Sequence, residues 1–214
     1  GKKVFNKGMG GLTVQVLGVR DAQVGARVKA FKVADPKASI YAAAFTTNKM
    51  YELSPGMYDI EIETTPAKIY KGVRIEEGKE TVEALGRSVG QVVVRLVGSN
   101  KKNMRSPISV YNARSITPVT AGYTNAPIDL LAGSYDLQIA TLPKQIKRDV
   151  RVEAGKELFI DAGAASVLTV KAADPSGKEV GVMVRVKNPQ NGELVTMAAA
   201  NRAQHAIAEF EQSP

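Results

Sequence analysis

Two segments of the chain repeat each other without a gap, at an offset of 77 residues. Leu53–Ile62 reads Leu-Ser-Pro-Gly-Met-Tyr-Asp-Ile-Glu-Ile, and Leu130–Ile139 reads Leu-Leu-Ala-Gly-Ser-Tyr-Asp-Leu-Gln-Ile. The offset continues downstream to two Gly-Lys-Glu triplets, which begin at Gly78 and Gly155. A repeat of this length is a small domain rather than one turn of a solenoid. The sequence therefore predicts a tandem array of modules of about 75 residues each.

The repeat sets the predicted domain boundaries. Residues 1–88 form a first module with an amino-terminal tail, residues 89–163 form a second, and residues 164–214 form a third that is partial or divergent. A module of this size buries only roughly 60% of the surface of its unfolded chain. We therefore expect modest stability unless the packing is very good or neighbouring modules contribute.

Period-two alternation predicts that the modules are built from β-strands. Apolar and polar residues alternate in Leu12–Val16, in Val92–Leu96 and in Val182–Val186. Asp174–Gly177 and Asn188–Gly192 have the composition of tight turns. The predicted fold class is all-β, with small antiparallel β-sandwich modules of the Ig-like or transthyretin-like kind in tandem.

The shared block predicts a turn followed by a strand with one apolar face. Gly56 and Gly133 are expected to form the turn, with positive φ. Tyr58 and Tyr135 are expected to place their rings in the core and to hydrogen-bond backbone through their hydroxyl groups, as tyrosine corners do. Downstream of each block, alternating residues predict a final strand that ends at the Gly-Lys-Glu triplet. Its apolar positions are Val73 and Ile75, or Val150 and Val152.

Two interpretations of the third segment stay open. Glu211–Pro214 matches the residues that precede the turn glycine in the first copy, which favours a third module cut off before its tyrosine strand. Alternatively, the segment is a shorter, divergent module whose alanine-rich tail, Met197–Phe210, is partly helical and covers the sheet.

The turn-and-strand block resembles bacterial Ig-like or transthyretin-like β-sandwich repeats of the carboxypeptidase-regulatory-like, PEGA-like and Cna-B-like group. The resemblance implies accessory spacers, or adhesive and binding domains, of exported or surface proteins, and not enzymes. It also implies a periplasmic or extracellular location, although the sequence displays no signal peptide. The residues that carry it are Leu53, Pro55, Gly56, Tyr58 and Asp59, and Leu130, Gly133, Tyr135 and Asp136, with Ala132 in place of the proline.

Some Cna-B-like domains form an internal isopeptide bond from a lysine near the first strand. The first strands of the two copies, Leu12–Val16 and Val92–Leu96, contain no lysine. Lys171, in the third segment, is the one lysine near a suitable place. The sequence therefore does not support this cross-link.

The positive charge of the chain is concentrated in the second copy. The formal net charge is +8, and residues 89–163 carry ten basic and six acidic residues, whereas residues 11–88 are nearly balanced. Two basic groups stand out, a predicted loop and the stretch after the second copy's proline. We consider them candidate sites for an anion or another partner, such as a cell-surface glycan or polymer, beside the alternative of a solvated basic face. The residues are Lys101, Lys102 and Arg105, and Lys144, Lys147, Arg148 and Arg151.

The inventory of catalytic and metal-binding side chains is thin, and we predict no enzyme, no cofactor and no metal site. Cysteine is absent from the sequence, which excludes disulfides and thiolate chemistry. The one histidine, His205, has no carboxylate partner suggested by spacing. Asp21, Asp35 and Asp174 are predicted to lie in turns, without the clustering that calcium requires.

Three classes of function remain. The leading one is a structural, adhesive or protein-binding repeat region of an exported protein. The second is a carbohydrate-binding module, and the third is an accessory domain of a larger enzyme or of a von Willebrand-type protein. Nucleic acid is disfavoured because aromatic residues make up only 6% and tryptophan is absent. The tyrosines that could serve a carbohydrate site are Tyr41, Tyr51, Tyr70, Tyr111 and Tyr123.

Overall fold

The protein is built almost wholly of β-strands. The computed structural model describes residues 4–33, 43–98, 100–168, 170–189, 191–199 and 205–208. Within these ranges lie seventeen strands and one 3₁₀ turn, Val19–Asp21, but no α-helix. The all-β prediction is confirmed.

The first repeat contributes seven strands in two sheets. One sheet has the order β4-β1-β7 and the other the order β3-β2-β5-β6. The strands are β1 (Gly10–Leu17), β2 (Arg27–Lys32), β3 (Ala43–Thr46), β4 (Met50–Leu53), β5 (Gly56–Ile62), β6 (Lys68–Ile75) and β7 (Glu80–Arg87).

One hydrophobic core lies between these two sheets. The alternating residues of β1 and of β5 are fully buried in it, as their period predicts. Tyr58 follows the predicted arrangement, because its ring is buried and its hydroxyl donates to the Ser54 carbonyl oxygen at 2.8 Å. The principal core residues are Leu12, Val14, Val16, Val28, Ala30, Leu53, Tyr58, Ile60, Ile62, Val73 and Ile75.

The first and last strands of this repeat are neighbours and run parallel. Seven residue pairs of β1 and β7 are in register, from Gly11 with Glu80 to Leu17 with Arg87. The strand with Val73 and Ile75, predicted to be the final strand of the module, is therefore followed by one more strand that the sequence pattern did not indicate. Its burial pattern explains the error, because β7 is an edge strand without buried alternation.

The second repeat has the same order of strands. One four-stranded sheet has the order β10-β9-β12-β13, and another has the order β11-β8-β14-β17. Tyr135, Leu137 and Ile139 are buried, as predicted. Gly133 departs from the prediction, since it begins its strand without a positive φ, whereas Gly56 has a φ of 154°. The strands are β8 (Val89–Gly98), β9 (Pro107–Asn112), β10 (Pro118–Tyr123), β11 (Pro127–Leu131), β12 (Gly133–Ile139), β13 (Gln145–Val152) and β14 (Glu157–Leu168).

The last three strands are β15 (Met183–Lys187), β16 (Leu194–Ala199) and β17 (His205–Ala208). Both predicted turns form: the Gly177 amide donates to the Asp174 carbonyl, and Asn188–Gly192 joins β15 to β16. The predicted helical tail is wrong where the structure describes it, because β16 and β17 occupy those positions. Pairing with neighbouring strands outweighs the helix propensity of the alanines there.

The residue contacts divide the chain into two compact units. Unit 1 comprises Gly1–Val92, Ile128–Ser134 and Arg151–Leu158. Unit 2 comprises Val93–Pro127, Tyr135–Val150 and Phe159–Pro214. The limits of these units differ from the predicted boundaries of the repeats, which stay a prediction. The predicted boundary between residues 163 and 164 falls within β14.

Candidate binding surface

A threonine and an asparagine fix the entry to β2 in the first repeat. The Thr47 hydroxyl donates to the Val24 carbonyl oxygen at 2.6 Å and accepts from the Ala26 amide at 2.9 Å. The Asn48 side chain accepts from the Val16 amide and donates to the carbonyl oxygens of Val16 and Val24. Asn48 has a φ of 63°, a conformation that asparagine tolerates better than most residues.

The second repeat contains the same arrangement 77 residues later. The Thr124 hydroxyl donates to the Met104 carbonyl oxygen at 2.6 Å and accepts from the Ser106 amide at 2.8 Å. Asn125, with a φ of 61°, accepts from the Leu96 amide and donates to the carbonyl oxygens of Leu96 and Met104. We call these two pairs the Thr-Asn clamps. The clamps were not predicted, although the 77-residue offset of the repeat extends to both Thr-Asn pairs.

The clamped turn shares backbone hydrogen bonds between the two repeats but carries different charges. In the first repeat the Gly18 amide donates to the Ala22 carbonyl, and Asp21 has a φ of 58°. In the second repeat the Gly98 amide donates to the Lys102 carbonyl, and Lys101 has a φ of 60°. Lys101 and Lys102 therefore take the places of Asp21 and Ala22. All four residues are exposed.

Arg105 lies at the end of this turn and packs on an aromatic ring. Its guanidinium carbon is 3.8 Å from the centroid of the Tyr123 ring, which is a cation–π contact. Tyr123 ends β10, and its register partner is Pro107 at the start of β9. The position of Arg105 is held by Gly25 in the first repeat, because the clamp contacts of the flanking residues correspond.

Lys144 lies at the same end of the sheet. The Ser106 hydroxyl donates to the Ala140 carbonyl oxygen at 2.9 Å, and the Ala140 amide donates to the Pro107 carbonyl. The turn from Ala140 to Lys144 therefore lies beside the start of β9. We call Lys101, Lys102, Arg105 and Lys144 the basic end; all four are exposed and belong to unit 2.

The basic end contains four cations and no carboxylate. Residues 100–107, 122–127 and 140–145, which form it, include no aspartate or glutamate. Within the described ranges none of its lysines forms an ion pair, and the Arg105 guanidinium packs on the Tyr123 ring. Its positive potential is therefore not neutralised by neighbouring side chains.

The other three candidate residues lie further along β13. Lys147 is half-buried, and the Arg148 guanidinium is 3.4 Å from the Asp136 carboxylate, which compensates its charge. Arg151 is seven positions from Lys144, which corresponds to about 23 Å along a strand. The structure thus brings four of the seven predicted residues together and leaves Lys147, Arg148 and Arg151 outside the basic end.

The acidic residues and the histidine considered in the sequence lie apart from one another in the part of the chain that the structure describes. No group of three metal-ligating side chains occurs among the described residues. Hydrogen bonds from the Ser176 hydroxyl and the Lys178 amide lower the pKa of Asp174, which is the behaviour of a carboxylate that stabilises a turn. His205 begins β17. Asp35 lies outside the described residues. Within the described ranges no helix is long and apolar enough to cross a membrane.

A shallow groove of about 640 Å³ lies in unit 1, between the start of β5 and the end of β6. Two of its charged lining residues, Glu76 and Arg74, are 3.4 Å apart, and Glu76 also lies 2.5 Å from the Lys79 ammonium. These cations hold the pKa of Glu76 below its usual value, with the Lys79 hydrogen bond as the largest cause. Glu77, which also lines the groove, accepts a hydrogen bond from the Gly8 amide at 3.1 Å.

The tyrosines considered for carbohydrate binding lie on separate strands. Tyr51 on β4 stacks on Phe45, with ring centroids 4.9 Å apart, and Tyr123 packs under Arg105. Tyr111 is half-buried and donates to Gln138, and Tyr70 packs partly against the first core. Tyr41 lies outside the described residues. In unit 1 Tyr51 and Tyr70 belong to different sheets, and in unit 2 Tyr111 and Tyr123 lie at opposite ends of the β9–β10 pair.

Comparison with known proteins gives only distant similarities. No family model matches the chain, and no curated protein matches its sequence. Three solved structures are similar to it: the Bacillus anthracis TIE protein, the minor pilin GBS52 of Streptococcus agalactiae, and a C-terminal fragment of the pilus adhesin SpaC of Lactobacillus rhamnosus GG.

The identities to these three structures are 16%, 14% and 8%, with TM-scores of 0.30, 0.33 and 0.26. The matches cover 94%, 77% and 77% of this chain, and 43%, 99% and 100% of the other chains, respectively. The chain thus spans less than half the length of the Bacillus anthracis protein. TM-scores this low support no argument about function.

Proposed function

We propose that this chain is a non-enzymatic repeat region of an exported bacterial protein, which bears load as a spacer and attaches to a partner through its loops. The observation that carries the proposal is the parallel pairing of β1 with β7 in the first repeat. The export and the bacterial origin follow the resemblance of the Leu-x-Pro-Gly-x-Tyr-Asp block to surface-protein repeats.

The parallel pairing determines how the repeat responds to tension. When the chain is pulled at both ends, the start of β1 and the end of β7 move in opposite directions along the strand axis. The hydrogen bonds between the two strands then share the load, whereas in a hairpin pulled open they would break one after another. The Thr13 hydroxyl adds a bond of 2.7 Å to the Glu80 carboxylate across the same two strands. This shear geometry suits a spacer under tension.

Single-molecule force spectroscopy on a disulfide-stapled chain tests the proposal. The chain lacks cysteine, so a Gln15→Cys/Ala84→Cys pair, at partners in the β1–β7 register, forms a unique bridge. Under oxidising conditions the disulfide bridge prevents 69 residues, or about 250 Å of extended chain, from being stretched by the applied force. We therefore expect the unfolding step of the first repeat to be lost. Reduction should restore that step.

A second staple provides the matched control. Lys29→Cys/Ala44→Cys joins β2 to β3, which lie outside the path of the load. Its bridge should shorten the unfolding step by only about 50 Å and leave the unfolding force unchanged. The load-bearing proposal is wrong if the β2–β3 staple raises the unfolding force of the repeat, or if the repeat yields at the same force as an unzipped hairpin.

A further inference from the structure

We propose that the basic end binds an anionic polysaccharide. This inference rests on the proposed function, because the polysaccharide would be the partner to which the repeat region attaches. The site comprises Lys101, Lys102, Arg105 and Lys144, with Tyr123 as the ring that supports the arginine.

The spacing of the cations fits a polymer rather than a single small anion. Arg105 lies two residues before the start of β9, Lys144 directly precedes β13, and β12 lies between these strands. Two strand spacings separate them, which is about 10 Å. A lone phosphate or carboxylate contacts groups within about 4 Å, so it would engage only part of the site. A chain with an oxyanion on successive units can contact several of the cations at once.

The stacking of Arg105 on Tyr123 orients its guanidinium before any ligand arrives. The ring supports one face of the planar group, and the N–H groups at its edge remain available for a bidentate bond to an oxyanion. The clamp on the adjacent residue adds rigidity, because the Ser106 amide donates to the Thr124 hydroxyl. Little conformational freedom is therefore lost on binding.

Nucleic acid fits the same surface less well. Single-stranded nucleic acids stack their bases on free aromatic faces, and at this end of the sheet the Tyr123 ring is in contact with Arg105. Asn100 and Asn103 on the turn add polar groups that suit sugar hydroxyls. We therefore assign the surface to a polysaccharide with carboxylate, sulfate or phosphate groups.

The first repeat has the same turns without this charge. Asp21 is paired with Arg87 through two hydrogen bonds, and Glu63 with Lys29 at 2.5 Å. The corresponding positions in the second repeat are Lys101 and Ala140. The scaffold therefore tolerates either set of side chains, and the basic set is confined to one repeat.

The decisive experiment measures binding of the whole chain to immobilised polygalacturonate and to phosphorylated dextran, with unmodified dextran as a neutral reference. The test variant, Lys101→Asp/Lys102→Ala/Lys144→Ala, places first-repeat residues on the same backbone and should still fold. We expect it to bind the polyanions at least about tenfold more weakly, with a smaller dependence on salt. Thermal unfolding should be unchanged.

A control variant separates the site from the net charge. Lys7→Ala/Lys49→Ala/Lys68→Ala/Lys71→Ala removes the same four units of charge from exposed positions elsewhere. It should keep at least half of the parent affinity. Arg105→Lys preserves the charge but removes the planar fork, so we expect a loss of several-fold.

The binding measurements separate outcomes that contradict the proposed polysaccharide site from outcomes that support it. Equal losses in the test and control variants, equal binding to dextran, or tighter binding of a single-stranded oligonucleotide would each overturn the inference. A preference for carboxylated or for phosphorylated polymer identifies the oxyanion. Absence of polyanion binding would leave the load-bearing proposal intact, because the staple experiment measures unfolding force and not affinity.

Discussion

The two repeats use the same turn after their first strand for opposite charges. Asp21 and Lys101 have nearly the same φ, and the amide of each donates to a glycine carbonyl, yet Asp21 pairs with Arg87 whereas Lys101 has no ion pair among the residues that the structure describes. The Thr-Asn clamps beneath these turns correspond bond for bond. The comparison indicates that the residues that fix the backbone, the Thr-Asn clamps, are different from the charged residues that the turns expose. Substitutions can therefore test the two sets separately.

The largest effect should follow removal of the clamps. Asn48→Ala and Asn125→Ala each lose three hydrogen bonds and place alanine at a positive φ, so we expect each to lower the free energy of unfolding by about 4 kcal/mol. Urea unfolding of both variants measures this. Asn48→Gly should lose less, because glycine accepts that φ. A loss in one repeat alone would break the equivalence of the clamps.

The next effect concerns the glycines that begin each repeat. A Cβ at Gly10 would overlap the Glu76 carbonyl oxygen, and one at Gly90 would overlap the Glu153 carbonyl oxygen. We expect Gly10→Ala and Gly90→Ala each to destabilise by about 2 to 3 kcal/mol, measured by thermal unfolding. Gly25→Ala has open space around the new methyl group and serves as the neutral control.

A smaller effect on the free energy of unfolding is expected at a position where the two repeats carry different residues. Ala132 takes the place of Pro55, and its amide donates to the Ser88 carbonyl at 2.9 Å. Ala132→Pro should therefore cost about 1 to 2 kcal/mol by loss of this bond, although proline is the first repeat's own residue. The reverse change, Pro55→Ala, should cost less than 1 kcal/mol. Equal costs in urea unfolding would contradict this asymmetry.

The smallest expected effect is a change in folding stability at acidic pH. The Lys79 and Lys156 ammonium groups lower the pKa of Glu76 and Glu153, respectively, below the ordinary value of 4.5. The stabilisation of the folded state by these two ion pairs is therefore complete above about pH 4.5. It is lost as the pH falls through the lowered pKa of each carboxyl group in the folded state. Both carboxylates are exposed, so the change should be slight. Glu76→Gln and Glu153→Gln should flatten the acid limb of the stability profile equally, whereas unequal effects would separate the two turns.

The sequence predicted the parts of the fold that bury side chains with a regular period. Alternation located the strands with Leu12, Ile60 and Leu137, and the repeat located the tyrosines, because burial on one face of a sheet leaves a period of two. The returning strand β7 lies at a sheet edge and leaves no such period. The charge excess identified the basic end, but sequence spacing alone did not separate Lys144 from Arg151, which the strand geometry places far apart.

The parallel pairing of β1 with β7 also affects when the first repeat can fold during protein synthesis. Leu12 is joined by its partner Thr81 only after 69 further residues have been made, which takes roughly 3 to 14 seconds at ordinary rates of protein synthesis. During that interval β4 can pair with one side of β1, while the other side remains an open edge exposed to wrong partners. The first repeat can close only when Arg87 has been made, so its folding should start late and then proceed as one step.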